Sequence, residues 1–90
     1  MTTDETRRRR ALYRAQHRGT KEMDFLLGRY AEARLSGMAV DDLTAFEELL
    51  ALPDPQLQSW LMMGQSFEGS ALADLLRDIQ TFHGIGARAH

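Results

Sequence analysis

Leucine and alanine dominate this sequence at the expense of the β-branched residues. Among 90 residues, Leu occurs 13 times and Ala 11 times, whereas Val occurs once and Ile twice. Strands rely on β-branched and aromatic side chains to cover a pleated surface, whereas Leu and Ala favour helices. The composition therefore predicts an all-α protein, and a chain of this length suffices for one domain with one hydrophobic core.

Five segments are predicted to be helical, because each carries apolar residues at helical spacing between residues that start or stop a helix. The clearest follows Thr20 and has its apolar residues at positions i, i+3, i+4, i+7 and i+8. The expected helices span approximately residues 2–17, 20–35, 41–52, 54–63 and 70–82. We expect a compact single-domain five-helix bundle of short helices over residues 1–82, followed by a flexible tail over residues 83–90.

Local signals predict where these helices begin and end. Gly19 is expected to break the first helix in the left-handed backbone conformation that suits glycine after a helix end. Asp41 or Asp42 is expected to cap the third helix. Asp54 is expected to cap the fourth, with Pro55 at the first helical position, where a missing N–H costs no hydrogen bond.

Each predicted helix has one apolar face, so the helices must bury these faces against one another. At about 1.5–3 kcal/mol for each fully buried large apolar side chain, eight such residues can hold a domain of this size. The predicted core consists of Leu26, Leu27, Phe46, Leu50, Trp60, Leu61, Leu75 and Leu76.

Several classes of protein are disfavoured by what the sequence lacks. The chain has no Cys, which excludes disulfides and fits a reducing compartment. Its apolar runs are far shorter than the ~18 residues needed to span a bilayer, so no membrane partner is expected. The first residues, MTTDE, resemble neither a secretory signal nor a typical transit peptide. We therefore expect the bacterial cytoplasm as the compartment, with the mitochondrial matrix as the alternative.

The charges are distributed unevenly along the chain. Residues 1–18 hold six arginines against two acidic residues, a net +4, whereas residues 19–90 hold five basic and eleven acidic residues, a net −6. The Arg7–Arg10 run could be a nucleic-acid arm, a dock for an acidic protein surface or a solvated helix start. Nucleic acid is the least favoured, because no aromatic residue is interleaved for base stacking and the rest of the chain would repel phosphate.

The sequence contains no recognisable catalytic or metal-binding arrangement. His17, His83 and His90 fall at no metal-ligand spacing, the glycines form no phosphate-binding loop, and no serine has a fixed His/Asp setting. The sequence therefore favours a binding module over an enzyme.

Charged residues of both signs surround the turn between the first two helices, at residues 17–24. One interpretation is an ordinary helix–turn–helix whose second helix starts with acidic residues, which the free N–H groups stabilise. The other is a protruding corner. There Gly19 allows close approach of a partner's backbone, and Arg18 and Glu22 make charge-assisted hydrogen bonds across an interface.

The same turn carries a resemblance to a known family. Arg18-Gly19-x-x-Glu22-x-Asp24 between two N-terminal helices resembles the signature of the succinate dehydrogenase assembly factors, which are small flavinylation-promoting proteins of bacteria and mitochondria. The resemblance spans about residues 7–81. Further matches lie in the third, fourth and fifth helices: Phe46 with Leu49-Leu50, Asp54-Pro55-x-Leu57-x-x-Trp60-Leu61, and Ile79-Gln80-Thr81.

This resemblance implies a five-helix protein that is not an enzyme. It implies binding to the flavoprotein subunit of succinate dehydrogenase, in some bacteria also to that of fumarate reductase, and promotion of covalent FAD attachment to a histidine of that subunit. FAD would belong to the client, with no cofactor held tightly by this chain. Arg18, Gly19, Glu22 and Asp24 would form the contact surface. Two neighbours, Arg14 and His17, are predicted as secondary contacts.

A physical hypothesis follows for the motif. Glu22 would hydrogen-bond to the client's histidine or order its surroundings, Arg18 would pair with a client carboxylate or with Glu22, and Gly19 would tolerate no side chain. The partner would accelerate the reaction by selecting a preorganised state of the client. Two alternatives from other classes are a regulatory or nucleic-acid-binding protein that uses Arg7–Arg10, and an interaction module for an unrelated partner.

Overall fold

The computed structural model describes residues 3–63 and 71–84, and within them it confirms the all-α prediction. No strand occurs in these two stretches, and none of their helices is long and apolar enough to cross a membrane. The predicted cap at Thr2, the loop that was expected around residues 64–70 and most of the expected tail lie outside the described residues. The helices are α1 (Thr3–Gln16), α2 (Lys21–Arg34), α3 (Val40–Leu50), α4 (Asp54–Met63) and α5 (Ala71–His83), with a 3₁₀ turn (Leu35–Gly37) after α2.

The apolar faces of the helices meet in one core. α1 packs against α2 and α3, and α5 packs against α2, α3 and α4. Small side chains allow α1 to approach α2 closely: Ala11 and Ala15 are buried, and a Cβ added to Gly28 would lie 3.2 Å from Gln16 Cγ. Seven of the eight predicted core residues are buried, whereas Trp60 is only partly buried and packs against the edge of the core.

One predicted helix start is confirmed and two are wrong. Thr20 caps α2, since its hydroxyl accepts a hydrogen bond from the Met23 N–H at 3.2 Å. α3 begins from Ala39, whose backbone is extended and whose carbonyl accepts from the N–H of Leu43. Asp41 and Asp42 therefore lie inside the first turn, where their negative charges still interact favourably with the positive end of the helix dipole.

The start of α4 also differs from the prediction. Asp54 is the first helical residue rather than the cap, and the N–H of Leu57 bonds to the carbonyl of Pro53 at 3.1 Å. The Asp54 carboxylate bonds instead to residues of the α1–α2 turn. The Asp54 side chain therefore makes a tertiary contact instead of the local capping interaction that the sequence predicts.

Gly19 does not adopt the left-handed conformation that we predicted for it. Among the residues that the structure describes, positive φ occurs only at Gly84, which follows α5 with φ 73°. The Gly84 N–H bonds to the carbonyl of Thr81 at 3.1 Å, as expected after a helix end. What a side chain at position 19 would meet is therefore decided by the neighbours of Gly19 in the turn, not by its backbone conformation.

Two of the four consecutive arginines tie α1 to the rest of the fold. Arg7 binds both carboxylate oxygens of Glu47 in α3, with Nε at 3.1 Å and Nη2 at 2.6 Å, and it also donates to Thr44. Arg8 donates to the carbonyl of Leu35 at 2.6 Å. The hydrogen bonds from Arg7 hold the pKa of Glu47 below its ordinary value, and they raise the pKa of Arg7.

We expect Glu47→Gln to lower the thermal unfolding midpoint at neutral pH and to lower it less as the pH falls. Because the folded-state pKa of Glu47 is depressed, its ionised form stabilises the fold above the unfolded pKa, and this contribution is lost as the pH falls through the folded pKa. Circular dichroism melts between pH 7 and about pH 3 measure the difference. Glu48→Gln, which removes an exposed neighbouring charge, is the control. A Glu47→Gln deficit that stays constant over this range would contradict the assignment.

Candidate functional site

The turn between α1 and α2 is held by Arg18, whose guanidinium reaches the turn between α3 and α4. Arg18 Nε and Nη2 lie 2.7 and 2.6 Å from Asp54 Oδ1. Nη1 and Nη2 donate to the carbonyls of Leu50 and Leu52 at 2.6 and 2.8 Å, at the end of α3, where a helix leaves its last carbonyls without N–H partners. Only 10% of the Arg18 side chain and 17% of the Asp54 side chain are exposed.

Two backbone N–H groups of the same turn are bound by carboxylates. The Gly19 N–H donates to Asp54 Oδ2 at 2.8 Å, and the Arg18 N–H donates to Asp24 Oδ1 in α2. A Cβ added to Gly19 would lie 3.0 Å from Asp54 Oδ2. A side chain at position 19 would therefore have to displace the Asp54 carboxylate slightly, and this close approach to the Gly19 backbone lies within the chain.

Glu22 is the motif side chain that the turn presents to solvent. It is exposed in the first turn of α2 and accepts a hydrogen bond from Gln58 Nε2 of α4 at 2.9 Å. Of the two alternative partners predicted for Arg18, Glu22 is not used, because the Arg18 guanidinium is occupied by Asp54 and two carbonyls. An exposed hydrogen bond such as Gln58–Glu22 is readily exchanged for one to water or to a partner.

An open groove of about 520 Å³ lies beside this turn. The rings of Tyr13 and His17 stack on its wall with their centroids 4.0 Å apart. His17 Nδ1 lies 2.8 Å from the Tyr13 carbonyl oxygen, which can only accept, so Nδ1 carries the hydrogen. The groove is lined by Tyr13, Arg14, His17, Arg18, Gly19, Asp54 and Pro55.

The structure brings all six predicted contact residues to one corner but gives them different surroundings. Arg18 and Asp24 bond within the turn, whereas Glu22, Gly19, Arg14 and His17 are exposed. Their assignment to partner binding remains a prediction. Within residues 3–63 and 71–84, no group of His, Asp or Glu side chains could hold a metal ion.

Sequence reasoning missed two residues of this corner, Asp54 and Tyr13. The Asp-Pro pair at the start of α4 marks Asp54, but residue type and spacing alone indicate a helix cap there and not a contact with the α1–α2 turn. Asp54 and Arg18 lie 36 positions apart, so no local spacing joins them. Tyr13 is 63% exposed. It lies on the outer face of α1, and this face can be identified only once the structure shows that α1 buries Ala11 and Ala15.

We expect Arg18→Met to lower the free energy of unfolding by about 3 kcal/mol, because it leaves the Asp54 carboxylate and two carbonyls without their partner. Urea denaturation measures the change. Arg77→Met is the matched control: Arg77 pairs with Asp74 at the same 2.6 Å, but both side chains are more than half exposed. Its cost should stay below about 1 kcal/mol. Equal costs for the two substitutions would contradict an anchoring role for Arg18.

We expect Gly19→Ala to cost about 1 kcal/mol, because its methyl group must displace a carboxylate that Arg18 holds in place. Gly37→Ala is the control, since a Cβ there meets nothing within 4 Å. That substitution should leave stability unchanged or raise it by less than about 1 kcal/mol. Thermal melts of the two variants decide the point, and a Gly19→Ala variant as stable as Gly37→Ala would show that the turn has room for a side chain.

Comparison with known proteins gives a consistent family assignment. The family model described as "Flavinator of succinate dehydrogenase" matches residues 9–83. FAD assembly factor SdhE of Acetobacter pasteurianus is 49% identical over 55 residues, which cover 61% of this chain and 50% of that protein. FAD assembly factor SdhE of Coxiella burnetii is 35% identical over 63 residues, covering 70% of this chain and 77% of that protein.

A mitochondrial relative also matches. Succinate dehydrogenase assembly factor 2 of Yarrowia lipolytica is 41% identical over 56 residues, which cover 62% of this chain and 39% of that protein. The chain thus spans half or less of the length of the Acetobacter and Yarrowia relatives. The resemblance carried by the Arg-Gly-x-x-Glu motif is confirmed by the match over residues 9–83: this chain belongs to the family described as flavinator of succinate dehydrogenase.

Proposed function

We propose that this protein binds the flavoprotein subunit of succinate dehydrogenase and promotes covalent attachment of FAD to that subunit. The observation that carries the proposal is the family match, which runs through the whole α1–α2 turn. The names of the relatives, FAD assembly factor and succinate dehydrogenase assembly factor, support a role in the assembly of this flavoenzyme. In this proposal the chain is an assembly factor rather than an enzyme, and FAD is held by the client.

The geometry of the corner suits Glu22 to be the residue that makes the central contact with the client subunit. Arg18, Asp54 and Asp24 fix the turn from inside, and Thr20 caps the helix on which Glu22 lies. A partner that docks here therefore meets a carboxylate whose backbone is already ordered, which reduces the entropy lost on binding. The Gln58 hydrogen bond is the only one that Glu22 must release among the described residues.

The client's histidine supplies the chemistry that Glu22 can assist. A carboxylate next to an imidazole accepts a hydrogen bond from one ring nitrogen and thereby fixes the tautomer and the orientation of the ring. An oriented imidazole is closer to the geometry needed to bond to the flavin, and the corner would favour that state of the client. No atom of this chain enters the new bond, so one molecule can serve many clients in turn.

The remaining motif residues have a supporting role in this proposal. Gly19 offers a turn without a side chain beside Glu22, and Arg18 and Asp24 are positioning residues that act through the shape of the turn. Arg14 and His17, on the wall of the adjoining groove, are proposed as peripheral contacts. The nucleic-acid alternative is weakened, because Arg7 and Arg8 already bind Glu47 and the Leu35 carbonyl.

The test is covalent flavinylation of purified client subunit with FAD, followed by flavin fluorescence of the denatured band. We expect Glu22→Gln to slow the reaction about tenfold or more, since a hydrogen bond to a charged group contributes roughly 1.5–3 kcal/mol. Both the succinate dehydrogenase subunit and that of fumarate reductase, the second proposed client, serve as substrates.

Glu32→Gln is a matched control within the same helix. Glu32 is also an exposed glutamate of α2 that accepts one hydrogen bond from a glutamine, Gln16, at 3.1 Å. It should support flavinylation at the wild-type rate, and both variants should unfold at the wild-type urea midpoint. A Glu22→Gln protein that works as well as Glu32→Gln would remove Glu22 from the contact, and a wild-type protein without effect on either client would refute the proposed function.

A further inference from the structure

The arginines of α1 divide into two groups by what they contact. Arg7 and Arg8 bind Glu47, Thr44 and the Leu35 carbonyl, as described above. The side chains of Arg9, Arg10 and Arg14 are exposed, and the part of the chain that the structure describes provides no hydrogen bond or ion pair to any of the three. Arg10 and Arg14 act on Glu47 only through space, where they add to the effect of the Arg7 hydrogen bonds in lowering its pKa.

Three arginines without a bonding partner among the described residues share one face of α1 with the Tyr13 ring. Positions i, i+1, i+4 and i+5 of an α-helix lie on the same side and extend for about 7.5 Å. Arg9, Arg10, Tyr13 and Arg14 occupy these positions, and His17, which follows directly after the end of α1, stacks on Tyr13. All five side chains are exposed, and we call this surface the arginine face.

The arginine face is continuous with the corner that presents Glu22. Tyr13, Arg14 and His17 also line the groove beside Gly19. The exposed Tyr13 ring is stacked on His17, so the two rings form one flat apolar surface beside the arginines. Tyrosine and arginine, together with tryptophan, are enriched among the residues that dominate the binding energy of protein interfaces.

We propose that the arginine face binds an acidic segment of the client flavoprotein and guides the corner to it. The inference rests on the proposed function and extends it to a second, electrostatic contact surface. Its physical basis is the charge pattern: residues 19–90 carry a net −6, whereas α1 carries three guanidinium groups that bond to nothing within residues 3–63 and 71–84 and so form a positive surface. Such a surface orients the protein during the approach to an acidic partner.

The same pattern favours a protein partner over a nucleic acid. Three guanidinium groups without bonding partners among the described residues, over about 7.5 Å of helix, match one short acidic segment, whereas a nucleic acid continues beyond them with a charge every few ångströms. At physiological ionic strength charges are felt over about 8 Å, so phosphates farther than this from the arginine face would gain little from it.

The experiment measures the association and dissociation rate constants of the full chain with the purified succinate dehydrogenase flavoprotein subunit, at low and at high salt. The variant is Arg10→Gln/Arg14→Gln, which removes two positive charges from the arginine face. The matched control is Arg34→Gln/Arg77→Gln, which removes two charges from exposed positions in α2 and α5 and gives the same net charge. Thermal melts verify that both proteins are folded.

We expect the arginine-face variant to associate about tenfold more slowly at low salt, with the difference shrinking as salt is added and with little change in dissociation. The control should associate within about twofold of the wild-type rate. Binding of a 20-base-pair DNA duplex is measured alongside.

Association of the Arg10→Gln/Arg14→Gln variant at the wild-type rate, or an equal loss in the control, would overturn the inference while leaving the proposed function intact. Duplex binding that depends on Arg10 and Arg14, without any effect on the flavoprotein, would also overturn it in favour of nucleic acid. Wild-type protein that binds neither flavoprotein nor duplex would refute the proposed function, and the inference with it.

Discussion

The ion pair between Arg18 and Asp54 joins two turns that are 36 positions apart in the sequence. A single guanidinium bonds to a carboxylate and to the carbonyls of Leu50 and Leu52, and the other carboxylate oxygen accepts the Gly19 N–H. Because the pair is largely withdrawn from solvent, removal of either partner leaves a charge without compensation. The conformation of the α1–α2 corner therefore depends on contacts with the end of α3, and these contacts hold the short loop in place.

This arrangement divides a short motif into an internal part and an external part. Arg18 and Asp24 are used inside the turn, whereas Glu22 is exposed on its surface. The arginines of α1 are divided in the same way, since Arg7 is bonded to α3 while Arg10 has no bonding partner among the described residues. In a chain of only 90 residues, the basic helix α1 has two roles. Because residues three or four positions apart share a helix face, arginines on one face can anchor the fold while those on another present charge to solvent.

The features that could be predicted from the sequence are those that arise locally. The five helices follow from apolar periodicity, and Thr20 as a cap follows from the chemistry of its own turn. Two of the predictions that fail concern residues with distant partners: Asp54 was expected to cap α4, and Glu22, four positions away, was one of two alternative partners for Arg18. Neither spacing nor residue type shows that α4 starts beneath the α1–α2 turn. The position of Trp60 at the core edge is of the same kind, because it depends on how the helices pack.

The central claim is that Arg18 acts through the shape of the corner and Glu22 through direct contact. The most direct test is covalent flavin loading of the client over a range of temperatures with Arg18→Met and with Glu22→Gln, alongside circular dichroism of each variant. The account predicts that loading by Arg18→Met returns towards the wild-type rate once the protein is cool enough to be folded, whereas Glu22→Gln stays slow while fully folded. A folded Arg18→Met protein that remains inactive, or a Glu22→Gln protein rescued by cooling, would contradict it.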